Sequence, residues 1–290
     1  MNLTDISTIR SLMSEAETGF KKSFGQNFLI NPAVPARIAE SLGYSAARGP
    51  KNVLEIGPGI GTLTVELCSV ADKVAAVELD KALIPILGRT LSGFDNVEII
   101  NADILKTDIG GLADGHFGGQ PFDVCANLPY YITSPILMYL LENGRRPRRI
   151  VIMVQKEVAQ RLTAEAGSPE YGAITAAVAR YGSVTRLFSV PAGDFLPAPK
   201  VDSAVIRIDV YDRSPYAVKN EKTLDRVIKG AFAQRRKTLV NSMAGVFPEL
   251  GKNGVAAILE RMGLPSDIRG ERLSIAQMAE MSDIMEDMIK

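Results

Sequence analysis

The chain has 290 residues, 46% of them hydrophobic, enough for one large domain and a smaller one with real cores. Lys+Arg and Asp+Glu balance at 33 each, so no global field draws the chain to nucleic acid and any such binding must use local patches. One histidine, His116 in a Gly-rich loop, argues against a His-based triad or a zinc site. Cys68 and Cys125 sit in apolar surroundings and read as reduced core residues. The N-terminus is polar and acidic, without an apolar signal core, and no stretch nears the about 18 apolar residues of a membrane span. The expectation is a cytoplasmic protein.

Residues 1 to about 30 carry few strand signals. A helix then opens with Asn31 as N-cap and Pro32 at N1, carries Val34, Ile38 and Leu42 at four-residue spacing, and ends near Gly43. From residue 53 short apolar strands alternate with helices. Val53–Ile56, Val74–Leu79, Val97–Ile100, Phe122–Ala126 and Ile150–Val154 read as strands. Thr62–Val70, Ala82–Leu91, a segment opened by Ser134-Pro135 and another from about Lys156 read as helices. That alternation predicts an α/β fold with a parallel sheet covered on both faces. Val184–Val190 and Ser203–Val210 read as an antiparallel pair closing one sheet edge, joined by a Pro-rich segment, 191–201, too long to be idle. Beyond Asp212-Arg213-Ser214-Pro215 only helical patterns remain, at about 222–234, 236–246, 253–262 and 274–289. The predicted domains are therefore 1–212 and 213–290. Met278, Met281, Met285 and Met288 recur at helical spacing and read as core packing of the last helix.

Glu55-Ile56-Gly57-Pro58-Gly59-Ile60-Gly61 follows the first of these strands and precedes a helix. Glycines there let the backbone approach a ligand at the carboxyl end of the sheet. The spacing is G-x-G-x-G, with Thr62 where a dinucleotide fingerprint needs its third glycine, and no Gly-Lys-Ser/Thr follows. This better suits S-adenosylmethionine, which has an amino-acid tail and no phosphate. Glu78 ends the second strand, where an acid can accept both ribose hydroxyls, and Asp103 follows the third, where a carboxylate can accept from an adenine amine. Asn127-Leu128-Pro129-Tyr130 leaves the fourth strand. An exocyclic base amine is a poor nucleophile because its lone pair is delocalised into the ring. A side-chain amide oxygen and a main-chain carbonyl can accept from that NH2 group and favour its pyramidal form. Pro129 stiffens the turn, and Tyr130 offers a stacking face.

These motifs resemble those of the ribosomal RNA adenine N6,N6-dimethyltransferase family. The resemblance extends through Phe24-Gly25-Gln26-Asn27-Phe28-Leu29 and Gln155-Lys156-Glu157-Val158. It continues in Pro197-Ala198-Pro199-Lys200-Val201-Asp202-Ser203-Ala204-Val205 and Phe232-Ala233-Gln234-Arg235-Arg236-Lys237-Thr238-Leu239, and so covers nearly the whole chain. It implies a Rossmann-like, seven-stranded S-adenosylmethionine-dependent methyltransferase domain with a small all-helical C-terminal domain. The implied cofactor contacts are Asn27, Leu29, Gly57, Glu78, Asp103 and Asn127. The implied target-base residues are Asn127, Leu128, Pro129 and Tyr130, with Phe195 on the opposite face of the ring. The implied reaction is dimethylation at N6 of two adjacent adenosines near the 3′ end of small-subunit (16S) rRNA, by a monomer that needs no metal.

Lys21-Lys22 and Arg235-Arg236-Lys237 are the local basic clusters expected to meet RNA phosphates, and the Arg145–Arg149 loop is the least suited of the three. Two other readings compete. One is an adenine methyltransferase acting on large-subunit rRNA, and the other an assembly factor that acts mainly by binding immature small subunits. A DNA adenine methyltransferase fits less well, because that class usually carries an acidic residue where Asn127 stands.

Overall fold

The computed structural model describes residues 1–15, 26–44, 49–142 and 144–289. In chain order its elements are α1 (Ile6–Glu15), β1 (Phe28–Leu29), α2 (Ala33–Glu40), β2 (Asn52–Ile56), α3 (Thr62–Val70), β3 (Lys73–Glu78), α4 (Ile84–Thr90) and β4 (Val97–Asn101). There follow α5 (Ile109–Phe117), β5 (Phe122–Asn127), α6 (Thr133–Glu142), β6 (Arg149–Gln155), α7 (Lys156–Leu162), α8 (Ala173–Ala179), β7 (Gly182–Val190), β8 (Phe195–Leu196) and β9 (Ser203–Val210). The last helices are α9 (Glu221–Ala233), α10 (Leu239–Ala244), α11 (Gly251–Arg261) and α12 (Ile275–Ile289). No helix among the described residues is long and apolar enough to cross a membrane.

The first compact unit comprises Met1–Ala159 and Val184–Val210. Its sheet has seven strands in the order β4-β3-β2-β5-β6-β9-β7. The run β4 to β6 is parallel, as the alternation with helices requires, and β9 pairs antiparallel with β6. Every residue of β2 is buried, as are Val74 to Glu78 of β3 and Phe122 to Ala126 of β5. Such strands must be almost wholly apolar, because both faces are covered. Register then sets function. Ile56 pairs with both Val77 and Ala126, and Glu78 pairs with Asn101. The residues that follow these strands, Gly57, Leu79, Ala102 and Leu128, therefore emerge along one edge of the sheet. The short strand β1 pairs with β8, Leu29 opposite Phe195. The 191–201 segment thus has a task, which is to fasten the N-terminal segment to the sheet unit.

Helix α2 starts one residue later than its punctuation suggests, yet the Asn31 side chain accepts from Ala33 N at 3.1 Å and caps its first turn as expected.

The second unit comprises Tyr211–Lys290 and also Gln160–Ser183. The boundary read near residue 212 accounts for the tail but not for this internal piece. The reason is packing. Tyr171 and Ala176 are buried in one apolar core with Leu224, Val227, Phe247 and Met278. The Tyr171 hydroxyl also donates to the Leu273 carbonyl at 3.0 Å. Met278, Met281 and Met285 lie in this core, whereas Met288 is 47% exposed and does not.

Candidate active site

The glycine loop after β2 is built on left-handed backbone. Gly57, Gly59 and Gly61 have φ of 69°, 63° and 93°, which side-chain-bearing residues rarely adopt. A Cβ on Gly57 would meet nothing within 4 Å, while one on Gly59 would stand 3.3 Å from the Phe28 ring. The loop leaves ligand room on one side and closes against the N-terminal segment on the other.

Glu78 is 7% exposed. Its Oε2 accepts from Gly59 N at 3.1 Å and its Oε1 from Asp80 N at 2.7 Å, which fixes the carboxylate across the loop. A carboxylate has about four acceptor positions, so capacity remains for hydroxyl donors. Burial raises its pKa and the Asp80 charge adds to the rise, against the backbone amides of Asp80, Gly59 and Leu79. Behind it, Glu55 is buried and its pKa is pushed up to about 8, mainly by desolvation. Thr64 lies close enough to oppose that shift, yet among the described residues Glu55 Oε2 and the Thr64 hydroxyl both lack a partner of hydrogen-bonding geometry. The Glu78 carboxyl held across the loop disfavours a pyrophosphate and offers acceptors to hydroxyl donors. S-adenosylmethionine, with ribose hydroxyls and no phosphate, fits this acceptor set.

Asp103 caps the turn that follows β4, accepting from Leu105 N at 3.1 Å, and Lys106 Nζ stands 3.5 Å from its other oxygen. At the end of β5, Asn127 Nδ2 donates to the Asn27 carbonyl at 3.3 Å. That bond orients the side-chain amide and leaves Oδ1 as the acceptor end. Pro129 presents its carbonyl to Ile132 N at 3.2 Å, closing the turn. The Tyr130 hydroxyl lies 2.6 Å from Ser203 Oγ. Burial raises the Tyr130 pKa, with Ser203 opposing.

The structure brings almost all of the expected site together. Asn27, Leu29, Gly57, Glu78, Asp103 and Asn127 line one cleft of about 1110 Å³, its open mouth included, and Leu128, Pro129 and Tyr130 complete its wall. Phe195 does not line it. Its ring is 2% exposed and packs in the core cluster that contains Leu29, Val34 and Val190, because the β1–β8 pairing draws it inward. It cannot serve as the second stacking face in this conformation. Glu55 and Tyr131 line the same cleft and were not anticipated. A charged residue inside the apolar run Val53-Leu54-Ile56 was the signal for Glu55. Tyr131 is 61% exposed at the wall where Tyr130 stands.

Among the basic clusters, Lys21 and Lys22 lie outside the described residues. Arg235, Arg236 and Lys237 are exposed in the turn between α9 and α10, and Arg235 also donates to the Pro169 carbonyl. The arginines of the 145–149 loop are held internally. Arg145 pairs with Asp114 at 2.8 Å, Arg146 donates to the Leu141 carbonyl at 2.7 Å, Arg148 pairs with the fully buried Asp123 at 2.8 Å, and Arg149 with Asp209 at 2.6 Å. They serve the fold.

The sequence profile described as ribosomal RNA adenine dimethylase matches residues 17–287. The chain belongs to that family. It is accordingly an S-adenosylmethionine-dependent methyltransferase. Ribosomal RNA small subunit methyltransferase A of Lachnoclostridium phytofermentans is 46% identical over 274 residues, covering 93% of each chain. The protein of the same name from Clostridioides difficile is 45% identical over 266 residues, covering 92% of this chain and 91% of its own. Among solved structures, a dimethyladenosine transferase from Plasmodium falciparum matches with a TM-score of 0.74 and 26% identity, over 87% of this chain and 95% of that one. The 23S rRNA methyltransferase ErmE matches with a TM-score of 0.70 and 26% identity, over 90% of this chain and all of that one. The dimethylase fold is therefore shared by an enzyme named for large-subunit RNA. Small-subunit names head the closely matching curated relatives of this family member.

Proposed function

We propose that the chain methylates N6 of two adjacent adenosines near the 3′ end of small-subunit rRNA to N6,N6-dimethyladenosine during subunit biogenesis, acting in the cytoplasm as a monomer. The observation that carries this reading is the anchored Asn127 amide, facing a cleft whose other wall holds the glycine loop and Glu78. The small-subunit names of relatives at 45–46% identity support the choice of RNA.

Bound S-adenosylmethionine supplies an electrophilic methyl group on its sulfonium. Glu78 would receive the ribose hydroxyls and Asp103 the adenine amine, with Asn27, Leu29 and Gly57 around the remainder of the cofactor. The target adenine leaves its stack to enter the cleft, at least cost in a loop or near a helix end. Asn127 Oδ1 and the Leu128 carbonyl accept from N6 and aim its lone pair, so most of the catalysis is positioning. Tyr130 stacks on the ring, a contact worth about 1–3 kcal/mol. The methylated nitrogen is cationic and loses its proton to solvent without a strong base, which suits a cleft with no histidine. Arg236 and Lys237 contact RNA phosphates.

The test is methyl transfer from labelled S-adenosylmethionine to purified small subunits lacking adenine dimethylation, with large subunits and duplex DNA in parallel. Dimethyladenosine only in small-subunit RNA, lost in Asn127→Ala, is the expected result. Label on large subunits instead would overturn the choice of substrate.

A further inference from the structure

Tyr130 needs no hydroxyl to stack on a base, since a phenylalanine ring offers the same face. Its hydroxyl is nevertheless held 2.6 Å from Ser203 Oγ, 73 residues away. Ser203 is fully buried and opens β9, where its backbone is fixed by pairing with Gln155 of β6. The preceding residue is fixed as well. The Asp202 carbonyl accepts from Lys156 N at 2.9 Å, and its Oδ1 accepts from Ala192 N at 3.1 Å. One end of the hydrogen bond therefore stands on rigid sheet, and the other on the tip of a ring in a loop. A ring attached only through Cβ can turn about two torsions, and tethering the hydroxyl, which lies on the ring's long axis, fixes the first of them and so the direction in which the ring points. With Phe195 packed into the core, no aromatic at that position shares the task of holding a base.

We propose that Ser203 is a positioning residue for the methyl transfer: its hydroxyl holds the long axis of the Tyr130 ring and so sets where the face stands against which the target adenine stacks. This rests on the reading of Tyr130 as the stacking face.

Ser203→Ala and Tyr130→Phe each remove the hydrogen bond and keep the ring. Each should lower kcat/KM for undermethylated small subunits by about three- to tenfold, the scale of one neutral hydrogen bond. The affinity for S-adenosylmethionine, measured by calorimetry on the same samples, should not change. The double variant should lose no more than either single one, because both remove the same interaction. A merely structural role for Ser203 would lower the melting temperature of Ser203→Ala without a matching kinetic loss in Tyr130→Phe. That pattern, or multiplicative losses in the double variant, overturns the proposal. Tyr130→Ala separates the two levels. If it retains full activity, the stacking reading itself fails; if it loses activity while Tyr130→Phe and Ser203→Ala keep theirs, only the positioning role of Ser203 fails.

Discussion

Asn127 and Asn27 lie 100 residues apart in sequence, yet the amide nitrogen of the first donates to the carbonyl of the second. The bond joins the loop that would hold the target base to the segment that closes against the glycine loop. It also decides which end of the Asn127 amide faces the cleft.

Replacing Asn127 by alanine removes that acceptor and the anchor together. Methyl transfer to small subunits should fall by about 10²–10³-fold, the range seen when one preorganised polar group is deleted from a reaction centre. Asn127→Asp keeps an acceptor but cannot donate to Asn27, so it should also be impaired. Rates from labelled cofactor under single-turnover conditions check this, and a wild-type rate in Asn127→Ala would remove the residue from the mechanism.

Glu55 gives the stability a pH signature. Its pKa of about 8 in the folded chain exceeds the ordinary 4.5, so folding holds a proton that the unfolded chain releases between those values. The contribution to stability is complete below about pH 4.5 and declines as pH rises to about 8, by roughly 1.4 kcal/mol per unit. Glu55→Gln keeps the shape without the titration. Melting curves of both proteins from about pH 5 to 8 should diverge, the wild type losing stability relative to the variant. Parallel curves would mean that Glu55 is ionised in the native state.

Two glycines should respond in opposite directions. A Cβ on Gly270 would collide with the Ala231 backbone in α9, which cannot yield as a side chain could. Gly270→Ala should therefore cost about 3 kcal/mol or more. Gly115, inside α5, has open space where a Cβ would go. Gly115→Ala should stabilise by about 0.5–1 kcal/mol through helix propensity. Denaturant titration of both variants measures the contrast.

Arg236 and Lys237 are exposed in the turn after α9. Replacing both by alanine should weaken binding to small subunits and make its salt dependence shallower, by roughly one unit of log–log slope per lost phosphate contact. Binding measured from low to moderate salt tests this, with Arg148→Ala as the contrast. Arg148 is paired with Asp123, so its loss should appear as lower stability.

Much of this architecture is legible in the sequence. Apolar runs such as Val74–Val77 and Phe122–Ala126 can only be strands covered on both faces, and Gly57, Glu78, Asp103 and Asn127 each follow or end one of them. Parallel register then carries such residues to one edge. Contacts across long sequence separations were not readable. Nothing local in Phe195 announces that pairing with Leu29 turns its ring into the core, and nothing in Ser203 announces Tyr130. The membership of residues 160–183 was hidden for the same reason. The helix Ala173–Ala179 lies between two strands of the sheet in the chain, and only the apolar neighbours of Tyr171 and Ala176 reveal which core it completes.

That last feature bears on how such a protein can be divided or recombined. The helical unit is stitched from two stretches, 160–183 and 211 onward, so the backbone crosses between units three times. A chain stopped at Val210 would keep Tyr171 and Ala176 but lose the helices that shelter them, leaving apolar surface bare and inviting aggregation. Transplanting this unit onto a related enzyme, or expressing it alone, requires both stretches to travel together, most simply through a circularly permuted gene.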